Sequence, residues 1–171
     1  MGEAKTLIGK TAVLEALSEH PAVKAIVAWK PEALTDAKFD RGELTLTIAP
    51  EQIHAAAATV QAAGYNFFED VTAVDWFPSS PRFQLSYHIV SHSYKERIRL
   101  RVMLDGTDQS GELPAIESIT AIWPAANFYE REVFDLFGIR FEEHPNLRRI
   151  MMPDDWQGHP LRKDYPVEGY R

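Results

Sequence analysis

Residues 83–104 read FQLSYHIVSHSYKERIRLRVML, and two alternations in this stretch decide the architecture. In the first half Phe83, Leu85, Tyr87 and Ile89 alternate with Gln84, Ser86 and His88. In the second, Ile98, Leu100, Val102 and Leu104 alternate with Arg97, Arg99, Arg101 and Met103. Successive side chains of a strand point to opposite faces, so each half predicts a strand with one apolar and one polar face. Ser91 to Lys95 supply the turn of an antiparallel hairpin. Its polar face carries a comb of arginines at 97, 99 and 101. The comb is either a solvated outer face of the sheet or a dock for carboxylates of another chain, since Arg forks pair bidentately with carboxylates.

Toward the N-terminus, Glu43 to Ile48 alternates in the same way, with Leu44, Leu46 and Ile48 on one face and two threonines on the other. Pro50 opens an alanine-rich helix whose Ile53, Ala57, Val60 and Ala63 form one stripe ended by Gly64. Residues 6–20 carry Ile8, Val13, Leu14 and Leu17 at helical spacing and predict a helix stopped by Pro21. Lys24 to Trp29 (KAIVAW) predicts a short buried strand, and a β-rich composition returns from Tyr65 to Asp75 until Pro78 and Pro81 break it. Toward the C-terminus, Ser118 to Trp123 predicts another strand, and Asn127 the N-cap of a helix that runs to Phe137 and closes at Gly138. This order predicts an α+β fold, a two-layer domain with a mixed, mainly antiparallel sheet and helices. Residues 1–143 make that body. Residues 144–171 are expected as an extended Pro-rich tail, because Pro145, Pro153, Pro160 and Pro166 leave no sustained period with which to build a core.

Composition narrows the function. The net charge of -7 argues against nucleic acid, whose binders present a basic field. No apolar run approaches the ~18 residues that cross a bilayer, and the N-terminus lacks the apolar stretch of a secretory signal, so a cytosolic chain is expected. The absence of cysteine excludes disulfides, thiolate zinc sites and Cys-ligated iron–sulfur clusters on this chain. There is no GxGxxG after a strand, no GxxxxGK[ST], no HExxH and no GxSxG. The expectation is therefore a chain with no catalytic, cofactor-binding or metal-binding residue of its own.

The run YEREVFDLFG, residues 129–138, bears the sharpest anomaly. At about 100° per residue, Tyr129, Val133, Phe134, Leu136 and Phe137 form an apolar arc, with Arg131, Glu132 and Asp135 opposite. Glu130 falls inside the apolar arc. A carboxylate there must be paired or protonated. It is either an acid/base group, which needs a second perturbed group and a pocket, or half of an ion pair with an arginine of the tail or of a partner. Phe128, an aromatic on the polar side, reads as a contact residue. Met151, Met152, Trp156, Tyr165 and Tyr170, mixed with Arg148, Arg149 and Arg162, are types enriched at interfaces. A competing reading from another class takes His144, Asp154, Asp155 and His159 as the metal site of a free-standing hydrolase, although paired aspartates on a loop are commonly turn chemistry.

Glu130-Arg131-Glu132 followed by VFDLFGIRFEEHPNLRRIMMPDDWQGHPLRKDYP closely resembles the signature stretch of the C subunit of bacterial respiratory complex I, the proton-translocating NADH:quinone oxidoreductase. DVTAVDW (residues 70–76) and ESITAIWPAAN (117–127) look like the same family. The resemblance implies a structural subunit of the peripheral arm, on the cytoplasmic side of the inner membrane and reaching that membrane only through the complex. It implies no cofactor on this chain, with FMN and iron–sulfur clusters on partner subunits. The implied partners are the quinone-site subunit and the subunit of the terminal iron–sulfur cluster. The residues expected to face them are Phe128, Glu130, Arg131, Glu132, Arg148, Arg149, Trp156, His159, Arg162, Lys163, Asp164 and Tyr165. The equivalent subunit of a membrane-bound hydrogenase or ferredoxin-linked complex shares the pattern, but GHPLRKDY (158–165) looks more like the NADH:quinone branch. Three positions depart from the family: Phe128 where Trp is usual, Glu143 where Gly is usual and Gln157 where Glu is usual. The change at 143 bears on turn geometry, because Gly often serves positions with positive φ.

Overall fold

Both alternating runs fold as expected, within a computed structural model that describes residues 6–106 and 111–168. The element order is β1 (Leu7–Ile8), α1 (Lys10–Ala16), α2 (Pro21–Trp29), β2 (Leu34–Asp40), β3 (Glu43–Ile48), α3 (Ile53–Ala62), β4 (Phe67–Asp75), β5 (Phe83–Ser91), β6 (Glu96–Leu104), β7 (Ala115–Glu117), α4 (Ala126–Phe137) and β8 (Arg140–Glu142). Six strands form one mixed sheet in the order β1-β2-β3-β6-β5-β4, and β7 pairs with β8. The chain divides into two compact units, Met1–Asp70 with Ser86–Val102 and Val71–Leu85 with Met103–Arg171.

In the first unit the expected stripes are the core, except that on α3 Ala56 is buried and Ala63 only partly so. Leu44, Leu46 and Ile48 of β3, Ile98 and Leu100 of β6, and Ile53, Ala56, Ala57 and Val60 of α3 are buried. Each such Leu or Ile contributes roughly 1.5–3 kcal/mol. Register is set by the pattern: β3 and β6 run parallel with Leu46 opposite Leu100 and Thr47 opposite Arg101, which keeps apolar residues on one face and polar ones on the other. The arginine comb is neutralised by its own chain. Arg99 donates to both oxygens of Glu43 at 3.0 and 3.1 Å, Arg101 reaches Asp36 at 3.2 Å, and Arg97 reaches Glu43 at 3.3 Å and Glu69 at 3.4 Å. Arg99 Nε also donates to His88 Nε2 at 2.8 Å, so the His88 proton sits on Nδ1, 2.6 Å from Asp70.

Three expected elements are corrected. Residues 6–20 are not one helix: Gly9, at φ 95°, separates β1 from α1, and Ile8 is exposed. Pro21 does not stop a helix but starts α2, where its missing N–H costs nothing. KAIVAW is accordingly helical, and its buried set with Ala22 and Val23 includes Ile26, a helical rather than alternating spacing. A short apolar run fits either state, and the proline is what decides. Ser118 to Trp123 is not a strand: β7 ends at Glu117, and residues 120–122 form a turn. The sequence-level pattern also passes over β2, whose residues LTDAKFD owe their extended form to pairing with β3. Their link is Arg41–Gly42, with φ of 52° and 82°, the positive pair of a tight hairpin turn.

Candidate partner-binding site: helix α4 and the segment that follows it

Helix α4 belongs to the second unit. It starts at Ala126, not at an Asn127 cap, and no side chain caps its N-terminus. Its C-terminus closes at Gly138 in the left-handed conformation, φ 68°, as the sequence predicts. The last carbonyls of a helix have no partner within it. Here the segment beyond residue 144, whose described residues hold turns and bends but neither helix nor strand, supplies them. His159 Nδ1 and Arg149 Nη1 donate to the carbonyl of Asp135 at 2.9 and 3.1 Å, and the Leu161 N–H donates to that of Leu136 at 3.0 Å. Arg162 donates from Nε to Phe137 at 2.6 Å and from Nη2 to Gly138 at 3.1 Å. The two guanidiniums also lie at the negative end of the helix dipole. A Cβ at position 138 would run into the His159 ring and come within 2.8 Å of Arg162 Nη2, so glycine is required for space as well as for φ.

Asp135 is the centre of this junction. Its Oδ2 accepts the N–H groups of Ile150, Met151 and Met152 at 2.9, 2.7 and 2.9 Å, and its Oδ1 lies 2.5 Å from Arg149 Nη1. Burial acts to raise its pKa, but the N–H of Met152, the Arg149 guanidinium and the N–H groups of Ile150 and Met151 prevail and hold it below the usual carboxylate value. The helical wheel puts Arg131 and Asp135 on the open side of α4; both are buried. At i and i+4 they would pair with each other on a free helix. Instead Asp135 takes the chain at 149–152, and Arg131 donates to the carbonyls of Arg148 and Arg149 at 3.2 and 3.3 Å.

Glu130 is fully buried, as its place on the wheel predicts, but its partner is not an arginine. Its carboxylate accepts the Ser118 hydroxyl at 2.6 Å and the Ile119 N–H at 2.8 Å, so the Ile119 N–H goes to a side chain and not to a strand ladder. His144 Nε2 lies 3.9 Å away. That ring is neutral by its bonds: Nε2 donates to the Asn127 carbonyl at 3.2 Å and Nδ1 accepts the Asn146 N–H at 3.0 Å. With no cation among the described residues beside it, burial pushes the Glu130 pKa up to about 7 against the two hydrogen bonds.

A second junction ties down residues 163–164. Arg82 forks Asp75, at 2.9 and 2.7 Å, and Asp164, at 2.9 and 2.7 Å. The Lys163 N–H donates to Asp75 at 2.9 Å. Burial works against the Asp75 charge, yet Arg82 and the N–H groups of Lys163 and Phe77 lower its pKa to about 2.

The expected site residues therefore separate. Glu130, Arg131, Arg149, His159 and Arg162 point into this unit's own junctions, and Asp164 binds Arg82. Phe128, Glu132, Arg148, Trp156 and Lys163 are exposed, and Tyr165 donates to the Gln157 carbonyl at 3.3 Å. Sequence reasoning does not find Asp135, Asp75, Arg82 or Ser118, and only the paired charges on α4 hint at any of them. Tyr170 lies outside the described residues. His144, Asp154, Asp155 and His159 are not gathered, and among the described residues no group of three or more His, Asp or Glu could hold a metal. No described helix is long and apolar enough to cross a membrane.

Residues 46–171 match the family described as "Respiratory-chain NADH dehydrogenase, 30 Kd subunit". The chain belongs to this family. It is 48% identical over 138 residues to the C subunit of NADH-quinone oxidoreductase from Citrifermentans bemidjiense, covering 80% of this chain and 83% of that one. To the C subunit from a Roseiflexus species it is 40% identical over 155 residues, covering 89% and 86%. Among solved structures, a trypsin-resistant fragment of Nqo5 superposes with a TM-score of 0.60 at 30% identity, over 78% of this chain and 98% of the fragment. A chain of an archaeal membrane-bound sulfane sulfur reductase shares the fold, with a TM-score of 0.73 at 24% identity over 88% and 86%. These curated relatives are parts of an enzyme complex, NADH-quinone oxidoreductase. Glu143 has φ 59°, a left-handed conformation.

Proposed function

We propose that this protein carries no cofactor and works by position. It holds the quinone-site subunit and the subunit bearing the terminal iron–sulfur cluster in register within the peripheral arm, on the cytoplasmic side of the membrane, while FMN and the clusters reside on partners. Electron transfer falls steeply with distance, so a rigid clamp between two redox subunits preserves rate without touching an electron. The observation that carries this reading is the stapling of residues 149–164 to α4 and Arg82 through Asp135, Arg149, Arg162 and Asp164. It makes a segment without helix or strand into a fixed scaffold, and that scaffold leaves Ile150, Met151 and Trp156 exposed. Preorganised aromatic and apolar anchors are what an interface needs, because little ordering entropy remains to be lost on binding. The tail from 144 onward is thus the partner-binding element. The test is to tag the chain, solubilise membranes gently and identify what co-purifies. Cysteine-rich cluster proteins and the quinone-site subunit are expected; recovery as a lone soluble protein would refute the reading.

A further inference from the structure

The described arginines of the second unit fall into two sets. Arg82 holds Asp75 and Asp164, Arg140 holds Glu142, Arg149 holds Asp135, and Arg162 lies against the carbonyls that end α4. Arg131 and Arg148 make no ion pair with the described residues. Arg131 spends its donors on the carbonyls of Arg148 and Arg149, and its guanidinium lies 6.0 Å from the centre of the Phe128 ring. The Arg148 side chain is exposed and no carboxylate of the described residues engages it. In a chain of net charge -7, two arginines joined through the Arg148 carbonyl and both without a carboxylate among the described residues are a departure that the fold does not use. Arg131 thus links Phe128 to the 148–149 backbone. Phe128 and Met151 are each 62% exposed, and Ile150 is 38% exposed. The backbone of Ile150 and Met151 cannot retract to bury them, because their N–H groups are held by Asp135.

We propose that Phe128, Arg148, Ile150 and Met151 form a docking site for a partner polypeptide segment in which an Asp or Glu side chain stands beside aliphatic residues. The carboxylate pairs with Arg148, in the fork geometry that guanidinium favours, and Arg131, bonded to the Arg148 carbonyl, adds positive potential. The aliphatic groups cover Phe128, Ile150 and Met151. Arginine, an aromatic and methionine together are the composition of a protein interface core. An anionic membrane surface is read by clusters of about four to eight Lys or Arg, which this patch lacks. The proposal rests on the reading that this protein binds other subunits of its complex, and it names the chemistry of one contact.

The experiment uses the full chain expressed in cells in place of the native subunit. Arg148→Glu is expected to lower the amount of assembled complex on native gels at least tenfold, and Arg148→Lys to leave a complex that releases the subunit at lower salt. Because position 148 is exposed, the purified Arg148→Glu chain should melt like the wild type, which separates lost docking from lost folding. In the Arg148→Lys complex, a zero-length carbodiimide should link position 148 to an Asp or Glu of another subunit, found by mass spectrometry of the peptide pair. If Arg148→Glu assembles in normal amounts and releases at unchanged salt, the docking site is refuted while the proposed function stands. If the cross-link joins two copies of this chain, or if Arg148→Glu weakens only the binding of the purified chain to phosphatidylglycerol vesicles, the proposed occupant is wrong. If the wild-type chain never co-purifies with other subunits, both the site and the function it rests on fall.

Discussion

Arg149 Nη1 lies 2.5 Å from Asp135 Oδ1, while the other oxygen of Asp135 receives three successive backbone N–H groups. One buried carboxylate thereby neutralises a guanidinium and anchors residues 150–152. Asp135→Asn removes the charge and leaves Arg149 half-buried without its partner. Breaking a buried pair from one side costs about 3–5 kcal/mol. The expected result is a loss of that order in urea unfolding of the second unit, with new protease cleavage between residues 149 and 162. A variant within about 0.5 kcal/mol of the wild type would show that Asp135 does not hold the segment.

Glu130 makes stability depend on pH. Its pKa rises from 4.5 to about 7 on folding, so the folded chain binds more protons than the unfolded chain between those values. The stabilisation is complete below pH 4.5 and is lost as pH rises through 7. Glu130→Gln cannot titrate, and its amide can still meet Ser118 and Ile119. Between pH 4.5 and 8 the wild type should lose up to about 3 kcal/mol relative to Glu130→Gln. His144, whose burial lowers its pKa, has the opposite slope, lost as pH falls below its ordinary value. Because His144 lies 3.9 Å from Glu130, the difference is read above pH 6.5, where the lowered His144 pKa leaves that ring neutral in both chains. Parallel urea midpoints above pH 6.5 would refute the assignment.

Positions 138 and 143 have nearly the same φ, 68° and 59°, but opposite expectations. Glu143 is an exposed side chain in a left-handed conformation that costs an L-residue roughly 1–2 kcal/mol, so Glu143→Gly should raise stability by about 1 kcal/mol after the entropy of the more flexible unfolded chain is subtracted. Gly138→Ala should lower it by more than about 2 kcal/mol, because the new methyl meets both the strain and the His159 ring. Thermal melts of the two variants test the pair.

Truncation after Glu143 removes Arg149, the N–H groups of residues 150–152 and His159, which bond Asp135, and the donors to the last carbonyls of α4. Hydrogen exchange of the α4 amides should accelerate, while β3 amides of the first unit keep their protection. Co-purification with partner subunits should disappear. Unchanged exchange in α4 would mean that the helix does not depend on the segment that follows it.

What the sequence alone determined follows from periods that one face of an element can satisfy by itself. Leu44 to Ile48, Phe83 to Ile89, Ile98 to Leu104 and the α3 stripe each repeat at two or near 3.6 residues, and Gly138 ends α4 because only glycine fits there. The stretch around Glu130 also sufficed to place the chain in its family. Tertiary structure decided the rest where one element depends on another far along the chain. β2 became a strand because β3 lies beside it, whereas KAIVAW is helix through its own neighbour Pro21, a local signal that the apolar run obscures. The wheel finds Glu130 because its burial follows from the helix's own apolar face. It misplaces Asp135, whose burial comes from residues 149–152 folding over a polar flank. A periodicity within one helix records the face that helix offers to an apolar core, and it carries no trace of a distant segment whose backbone N–H groups need an acceptor.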